Sequence, residues 1–511
     1  MLGLFLLVYG AAFGLFGQFF PLVFVIPIGV LALMVIWALP DLKVGPVRML
    51  ETLFFTFLIA EVIWPSYLAL AIPGLPQISM ARITGAPFAI VLLVCLSTSS
   101  GFRRDLAASL AGAPLVWGLF VAFVAIQALS ILFSAFPLFT IDRFASDQLA
   151  WTAIFFGACY LMAKPGVATR WVNVMWGMTI FVGFIALWEH HLQHVPWANH
   201  VPPFFKIDDP RVAQILAGEV RPYGGGYRAE STFAGPIQLG EFLALVMPFI
   251  IHLAVTSSNR RTRWAAIATI PFVTLTVVIA NARSGMFGWL ISFVLYGAYW
   301  GYRRWRFDRT SLFGALVFFG YPLAGVLTVI PVLFVGRIHA MFFGSGLAVA
   351  SGNARKEQWA LGWPKALRHP WGYGVGRSAD VVGWLSPGGF NSIDTYYLTV
   401  LVEYGFVGFI VYFGMFLMAI FEVVRLVLSR ALGDDEETSL IVPAAVALAN
   451  FVVIKSVFSQ EDNHSIVFMI LGMLIALSSR LKNVAEPATA SARAQPRRAV
   501  GQVRRPSLAR G

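Results

Sequence analysis

The chain has 511 residues, 58% of them hydrophobic and only 12% charged, with a mean hydropathy of +0.76. These proportions exclude a soluble multidomain protein and place the chain in the membrane class. A formal net charge of +12 would suit nucleic acid, but the basic residues fall between apolar runs and in the tail, as membrane topology requires, so no nucleic-acid partner is implied.

A helix crossing the hydrocarbon core takes about 20 apolar residues, and about fourteen stretches fit that template. They are 2–19, 21–39, 52–72, 86–99, 114–134, 148–163, 171–189, 233–255, 264–281, 285–302, 312–335, 395–424, 440–457 and 463–479. Residues 1–20 lack a basic n-region and a small-residue cleavage site, so they read as a retained span and not as a signal peptide. Basic residues cluster in alternate loops: Lys43 and Arg48, Arg103 and Arg104, Lys164 and Arg170, Arg260 to Arg263, Arg303 to Arg309, Arg425 and Arg430. The positive-inside bias puts these loops, the Arg-rich tail and both termini in the cytoplasm.

The organisation that follows is N-terminal transmembrane helices over 1–189, a first outer loop over 190–232 and central transmembrane helices over 233–335. A large outer loop over 336–394, C-terminal transmembrane helices over 395–479 and a basic tail over 480–511, too polar to fold, complete it. Within the large loop an amphipathic helix is expected from Arg355 to Leu367, broken by Pro364, with Trp359 and Trp363 at the interface. Cys95 and Cys159 sit inside apolar runs and imply neither a disulfide framework nor a metal site. No repeat and no inverted duplication is visible.

Polar residues concentrate in the two outer loops. Asp394 stands where the large loop enters an apolar helix, and either caps that helix or takes a proton from an acceptor hydroxyl; one carboxylate is able to do both. Glu403, about two and a half turns deeper, is expected to face the bundle interior and bond a polar partner. Arg283, in Asn281-Ala282-Arg283-Ser284-Gly285, runs against the positive-inside bias; it either snorkels to headgroups or clamps a diphosphate, whose oxygens match a guanidinium fork. Arg228 offers the same clamp or pairs with Glu230, and Gly224-Gly225-Gly226 is either a flexible turn or a phosphate approach. Arg355 and Lys356 bind lipid headgroups or substrate. Glu189, His190, His191, His194 and His200 have spacings a metal would accept, but no second ligand set accompanies them and metal is discounted. His369 reads as a turn histidine, and the run Asp434 to Glu437 as a solvated cytoplasmic loop.

Together these residues resemble the O-antigen ligase and polymerase superfamily over residues 220–425. The resemblance is carried by Arg228 to Glu241, the Ala282 to Gly285 step, Arg355 with Trp359, His369-Pro370 with Gly374-Val375-Gly376, and Asp394-Thr395 followed through Tyr404 by Gly405 and Gly408. It implies an all-α polytopic membrane protein of about 12–14 transmembrane helices, GT-C-like, with a large periplasmic loop carrying short helices, in the bacterial inner membrane. It further implies a glycosyltransferase acting on undecaprenyl-diphosphate-linked glycan without cofactor or metal, alongside membrane lipids and chain-length regulator or flippase proteins. Asp394, Arg283 and Arg355 take catalytic roles by this likeness, and Arg228, Trp359, His369, Tyr397 and Arg377 bind substrate. Ligases of the family typically place histidine where Asp394 stands, so the aspartate tilts the expectation toward a polymerase of exopolysaccharide, capsule or O-antigen repeats over ligation to lipid A core. A polytopic transporter or flippase is the rival class, favoured by Glu189, Glu241, Glu403 and Lys455.

Overall fold

The computed structural model describes residues 21–42, 45–70, 78–205, 210–220, 226–307, 312–320, 346–386, 389–429 and 435–494, with residues 10 and 323 as isolated points. Almost all of the expected span 2–19, most of 312–335, residues 336–345 of the large loop, Gly224-Gly225, Arg309, Arg430, Asp434 and the tail from 495 lie outside the described residues.

The chain is an all-α polytopic membrane protein. Among the described residues eight helices are long and apolar enough to cross a membrane: Met80–Thr98, Pro114–Phe133, Val167–Leu192, Pro236–Thr256, Arg260–Ala280, Tyr396–Ser429, Thr438–Lys455 and His464–Asn483. The last two are the most enclosed, and Ile466 to Leu477 make a continuous buried column in which Phe468 stacks with Trp151 and meets Phe120 edge-on, Phe120 in turn stacking on Phe155. Ring contacts of this kind supply packing that hydrophobicity cannot provide between helices already in lipid.

Several expected elements differ in detail. The span drawn over 52–72 is a helix only over Val47–Ile63; beyond it the chain turns at Pro65 and forms strand Ala69–Leu70, antiparallel to Ile78–Ser79. The segment drawn at 148–163 opens with a π-helical stretch, Gln148–Ala153, before Ile154–Leu161. Pro364 does not break its helix, which runs unbroken over Gly346–Arg368; the proline lies on the exposed side, where water can take up the carbonyl it leaves without a donor. The last helix continues to Ala494, past the end of the apolar stretch. The supposedly solvated acidic run is in use: Glu437 accepts from the N–H groups of Gly166 and Thr169 at the start of Val167–Leu192 and pairs with Arg480, a carboxylate at the positive end of a helix.

The Tyr396–Ser429 helix carries the feature that positions the loop before it. At Gly405 the backbone has φ 70 and ψ −171, which no helix accommodates. The residues freed by this break bond instead to the segment after Arg368. Phe406 N–H donates to Pro370 O at 3.1 Å, Tyr373 N–H to Val402 O at 2.9 Å and Gly374 N–H to Glu403 O at 3.2 Å. Only glycine occupies this backbone region without strain, and a Cβ here would also collide with the Pro370 carbonyl. Gly405→Ala is therefore expected to destabilise the protein by about 1–3 kcal/mol or more, whereas Gly414→Ala, on the same helix with open space around it, should leave the melting temperature in detergent unchanged; equal melting of the two variants would refute the assignment.

Candidate functional site

Two of the expected arginines are placed by tight backbone geometry. Asn281 closes Arg260–Ala280 in the left-handed conformation with φ 48, a common helix terminator, and Arg283 opens the next helix, Arg283–Phe307. Gly285 allows that helix to cross Pro236–Thr256 closely, since a Cβ there would stand 2.7 Å from the Gly240 Cα. Arg228 lies in the hairpin of Glu219–Val220 and Tyr227–Arg228, and Ala229 N–H bonds to Ile279 O at the same end of the Arg260–Ala280 helix. Glu189 anchors this hairpin: it accepts from Tyr227 Oη at 2.7 Å, from Glu230 N–H at 3.0 Å and from Ser231 N–H at 2.6 Å. It is thus a structural acceptor and not a metal ligand, and among the described residues no group of three or more His, Cys, Asp or Glu is arranged to hold a metal ion.

Asp394, Arg355 and Arg283 come together at the mouth of the Tyr396–Ser429 helix. The helix begins at Tyr396, so Thr395 holds the cap position and Asp394 lies one residue outside it; the capping role expected of Asp394 falls away. Its main-chain N–H donates to Gln358 Oε1 at 2.9 Å, and Gln358 is fully buried on the same helix face as Arg355, three residues apart. Burial raises the Asp394 carboxyl above the ordinary aspartate range while the Arg355 guanidinium pulls it down. The Arg355 guanidinium is itself lowered by burial, raised by Asp394 and lowered by Arg283. Arg355 thus feels both Asp394 and Arg283, and all three residues are half-buried.

The remaining expected binding residues have these surroundings in the fold. Trp359 packs in a small cluster with Val382, Ile393, Leu398 and Val402. Tyr397 turns into the bundle, donating its hydroxyl to Val452 O at 2.7 Å and packing edge-on to Phe413. His369 is exposed beside Tyr373. Arg377 pairs with Asp380 at 2.9 Å and lies over the Phe136 ring at 4.2 Å. Glu403, as expected, bonds inward, accepting from Ser378 Oγ at 2.7 Å and Ser378 N–H at 3.3 Å.

Adjacent to this mouth is a cavity of about 820 Å³ that no single loop of the sequence announces. Glu61, Asp142, Asp147, Glu403, Glu461 and Asp462 line it together with Arg82 and Arg143, and Trp151 contributes an aromatic wall. Glu461 accepts from Arg143 and, at 3.0 Å, from Tyr396 Oη; Arg82 donates to Ser146 at 2.7 Å and pairs with Asp142. Ile393 and Ser459 belong to its wall, and Ser459 Oγ donates to Ile393 O, so the cavity ends one residue from Asp394. Most of these charges lie on helices, Glu61 on Val47–Ile63, Arg82 on Met80–Thr98, and Asp142, Arg143 and Asp147 on Pro137–Asp147; the signal in the sequence is charge in Asp142-Arg143 and Gln460-Glu461-Asp462 between spans.

Beneath the cavity Lys455 and Glu241 form an ion pair at 3.0 Å, both fully buried. Lys455 also donates to Gln460 O, and Asn463 Nδ2 donates to Glu241 at 3.0 Å. The pair thereby ties the Gln460-Glu461-Asp462 turn to two helices.

An all-α membrane bundle with a carboxylate and guanidiniums gathered at one end is the class of protein these observations define. A family model described as O-Antigen ligase matches residues 267–413, so the chain carries an O-antigen ligase domain, and Arg283, Arg355 and Asp394 all fall within it. The matched region supports a membrane enzyme of the O-antigen ligase or polymerase type, and that family implies lipid-linked glycan substrates. The comparison with curated proteins returns no match.

Removing one partner of the buried pair should be far costlier than removing both. Lys455→Met strands Glu241 and is expected to cost about 3–5 kcal/mol; Lys455→Met combined with Glu241→Leu should recover most of that loss in thermal melts of the detergent-solubilised protein, and additive losses would rule out the pairing.

Proposed function

We propose that the protein polymerises undecaprenyl-diphosphate-linked oligosaccharide repeats at the periplasmic face of a bacterial inner membrane. The observation that carries this reading is the convergence of Asp394, Arg355 and Arg283 at the mouth of one helix. In the proposed step Asp394 takes the proton of an acceptor sugar hydroxyl, whose oxygen forms a bond to the anomeric carbon of the donor glycan. The bond from that carbon to the diphosphate oxygen breaks, its electron pair leaves on the diphosphate, and Arg283 and Arg355 stabilise the charge that develops. Arg228, held near the end of the Arg260–Ala280 helix, extends the same cationic side. One direct displacement inverts the anomeric configuration, and guanidiniums supply the stabilisation without a divalent metal. Transfer to lipid A core is the second reading, supported by the ligase description of the matched family.

Reconstitution with a lipid-linked oligosaccharide separates these readings: polymerisation yields longer lipid-linked chains, ligation moves the glycan to a core acceptor, and neither product would overturn both. Asp394→Asn is expected to lower turnover by about 10²–10⁴-fold, the usual worth of a general base. Arg283→Lys keeps the charge but loses the fork, with a loss on the order of tenfold, corresponding to one charge-assisted hydrogen bond; undiminished turnover in either variant defeats the assigned role.

A base works deprotonated, so turnover should fall as pH drops through the Asp394 pKa. Because burial raises that pKa, the acid limb should lie above the ordinary aspartate value of about 3.9. Arg355→Ala removes the positive charge that opposes burial and should move the limb to still higher pH. A limb that stays put or moves lower in Arg355→Ala, measured at saturating donor, counts against Asp394 as the titrating group.

A further inference from the structure

The cavity next to Asp394 is unused by the transfer step as described, and its charge is one-sided. Six acidic side chains face two guanidiniums across its lining, an excess of 6 − 2 = 4 acidic groups. Both guanidiniums are already engaged, Arg143 with Glu461 and Asp147, and Arg82 with Asp142 and Ser146. Asp147 is 3% exposed, yet its Oδ2 has no hydrogen-bond partner, while its other oxygen stands 3.7 Å from Arg143 Nε. A buried carboxyl oxygen without a partner in the wall of a polar cavity is short of a donor. The volume is that of a small-ligand site, within the range of about 300–1,000 Å³.

The donor diphosphate does not fit this chemistry, because like charges repel most strongly in a partly desolvated concavity. A sugar does fit. Its closely spaced hydroxyls donate to and accept from a lining crowded with carboxyl oxygens. We propose that this cavity is the acceptor-sugar subsite and that its carboxylates select neutral or amino-bearing sugars while rejecting uronates and phosphorylated sugars. The inference rests on the transfer reading above and adds the side from which the acceptor enters: a glycan seated against Ile393 presents its hydroxyl at Asp394, with the diphosphate held across from it by Arg283 and Arg355.

The test uses the full-length protein in nanodiscs of zwitterionic lipid. Three trisaccharides of similar size are titrated at low salt: N-acetylglucosamine (neutral), glucosamine (cationic) and galacturonate (anionic). The neutral and cationic trimers should bind with Kd values at least about tenfold below that of the anionic one, in keeping with electrostatic discrimination. Asp147→Asn and Asp462→Asn should each narrow that gap. Equal or tighter binding of the galacturonate trimer overturns the inference, as does absence of binding by all three or a gap unchanged in both variants. The order of the three probes is read on the unsubstituted protein and does not depend on the variants folding. Extension of a lipid-linked glycan, measured on the same preparation, distinguishes the two ideas: extension without charge preference defeats the subsite alone, and charge preference without extension defeats the transfer reading.

Discussion

A backbone break inside a membrane-spanning helix has to be repaired by protein, because hydrocarbon offers no donors or acceptors. The rest of the structure depends on how this is done at Gly405. The repair comes from the chain immediately after Arg368, whose Pro370 carbonyl and Tyr373 and Gly374 amides bond across the gap. An outer loop thus becomes an integral part of the bundle. Its position is no longer free, and neither is that of the Gly346–Arg368 helix leading into it.

From that lock the site geometry follows. The first half of the broken helix, Tyr396 to Tyr404, is buried on most sides, with Glu403 bonded to Ser378 and Tyr404 Oη accepting from Gln127 at 3.3 Å. Asp394 therefore enters a segment whose axis is fixed at both ends. Arg355 and Gln358 reach it from a helix tied down by the same loop. The buried charges have a corresponding division of labour: Glu189, Glu241, Glu403 and Lys455 are each bonded to groups that hold a loop in place. Deep charges of this sort are material for a transporter when they lie along a pathway; here they act as anchors below one mouth.

Hydropathy and charge parity made the bundle legible, because long apolar runs have one stable answer in lipid. What they missed has physical causes. The end of the Val47–Ile63 helix lies within an apolar stretch, so hydropathy alone carries the span past the turn that Pro65 marks. Pro364 lowers helix propensity but does not end the helix, which continues to Arg368 with the proline on its exposed side. Asp394, Arg355 and Arg283 were visible as charges that broke a local rule at an interface. The cavity was not visible at all, because Glu61, Arg82, Arg143 and Glu461 come from four separated segments and only the folded bundle gathers them. Tyr397 shows the converse: a polar residue beside the site in sequence spends its hydroxyl on Val452 in the bundle.

The two charge regions make sense of an aspartate as the residue between them. A carboxylate in water is a weak base for a sugar hydroxyl, and its basicity rises only if its charge is partly deprived of solvent. Complete burial would protonate it outright and end its use. Asp394 sits half-buried, pushed up by desolvation and restrained by Arg355, the two opposing influences that the proposed base requires. The same guanidinium belongs to the group proposed to receive the leaving diphosphate. In the proposed step, negative charge building on the diphosphate would offset the Arg355 charge felt by Asp394 and raise the basicity of the carboxylate as the acceptor oxygen needs it. On the other side of Ile393 the proposed acceptor subsite, with its acidic lining, would disfavour a second anion. Basicity, leaving-group stabilisation and substrate sorting then share one origin: the placement of a single carboxyl at the boundary between a cationic wall and an anionic one.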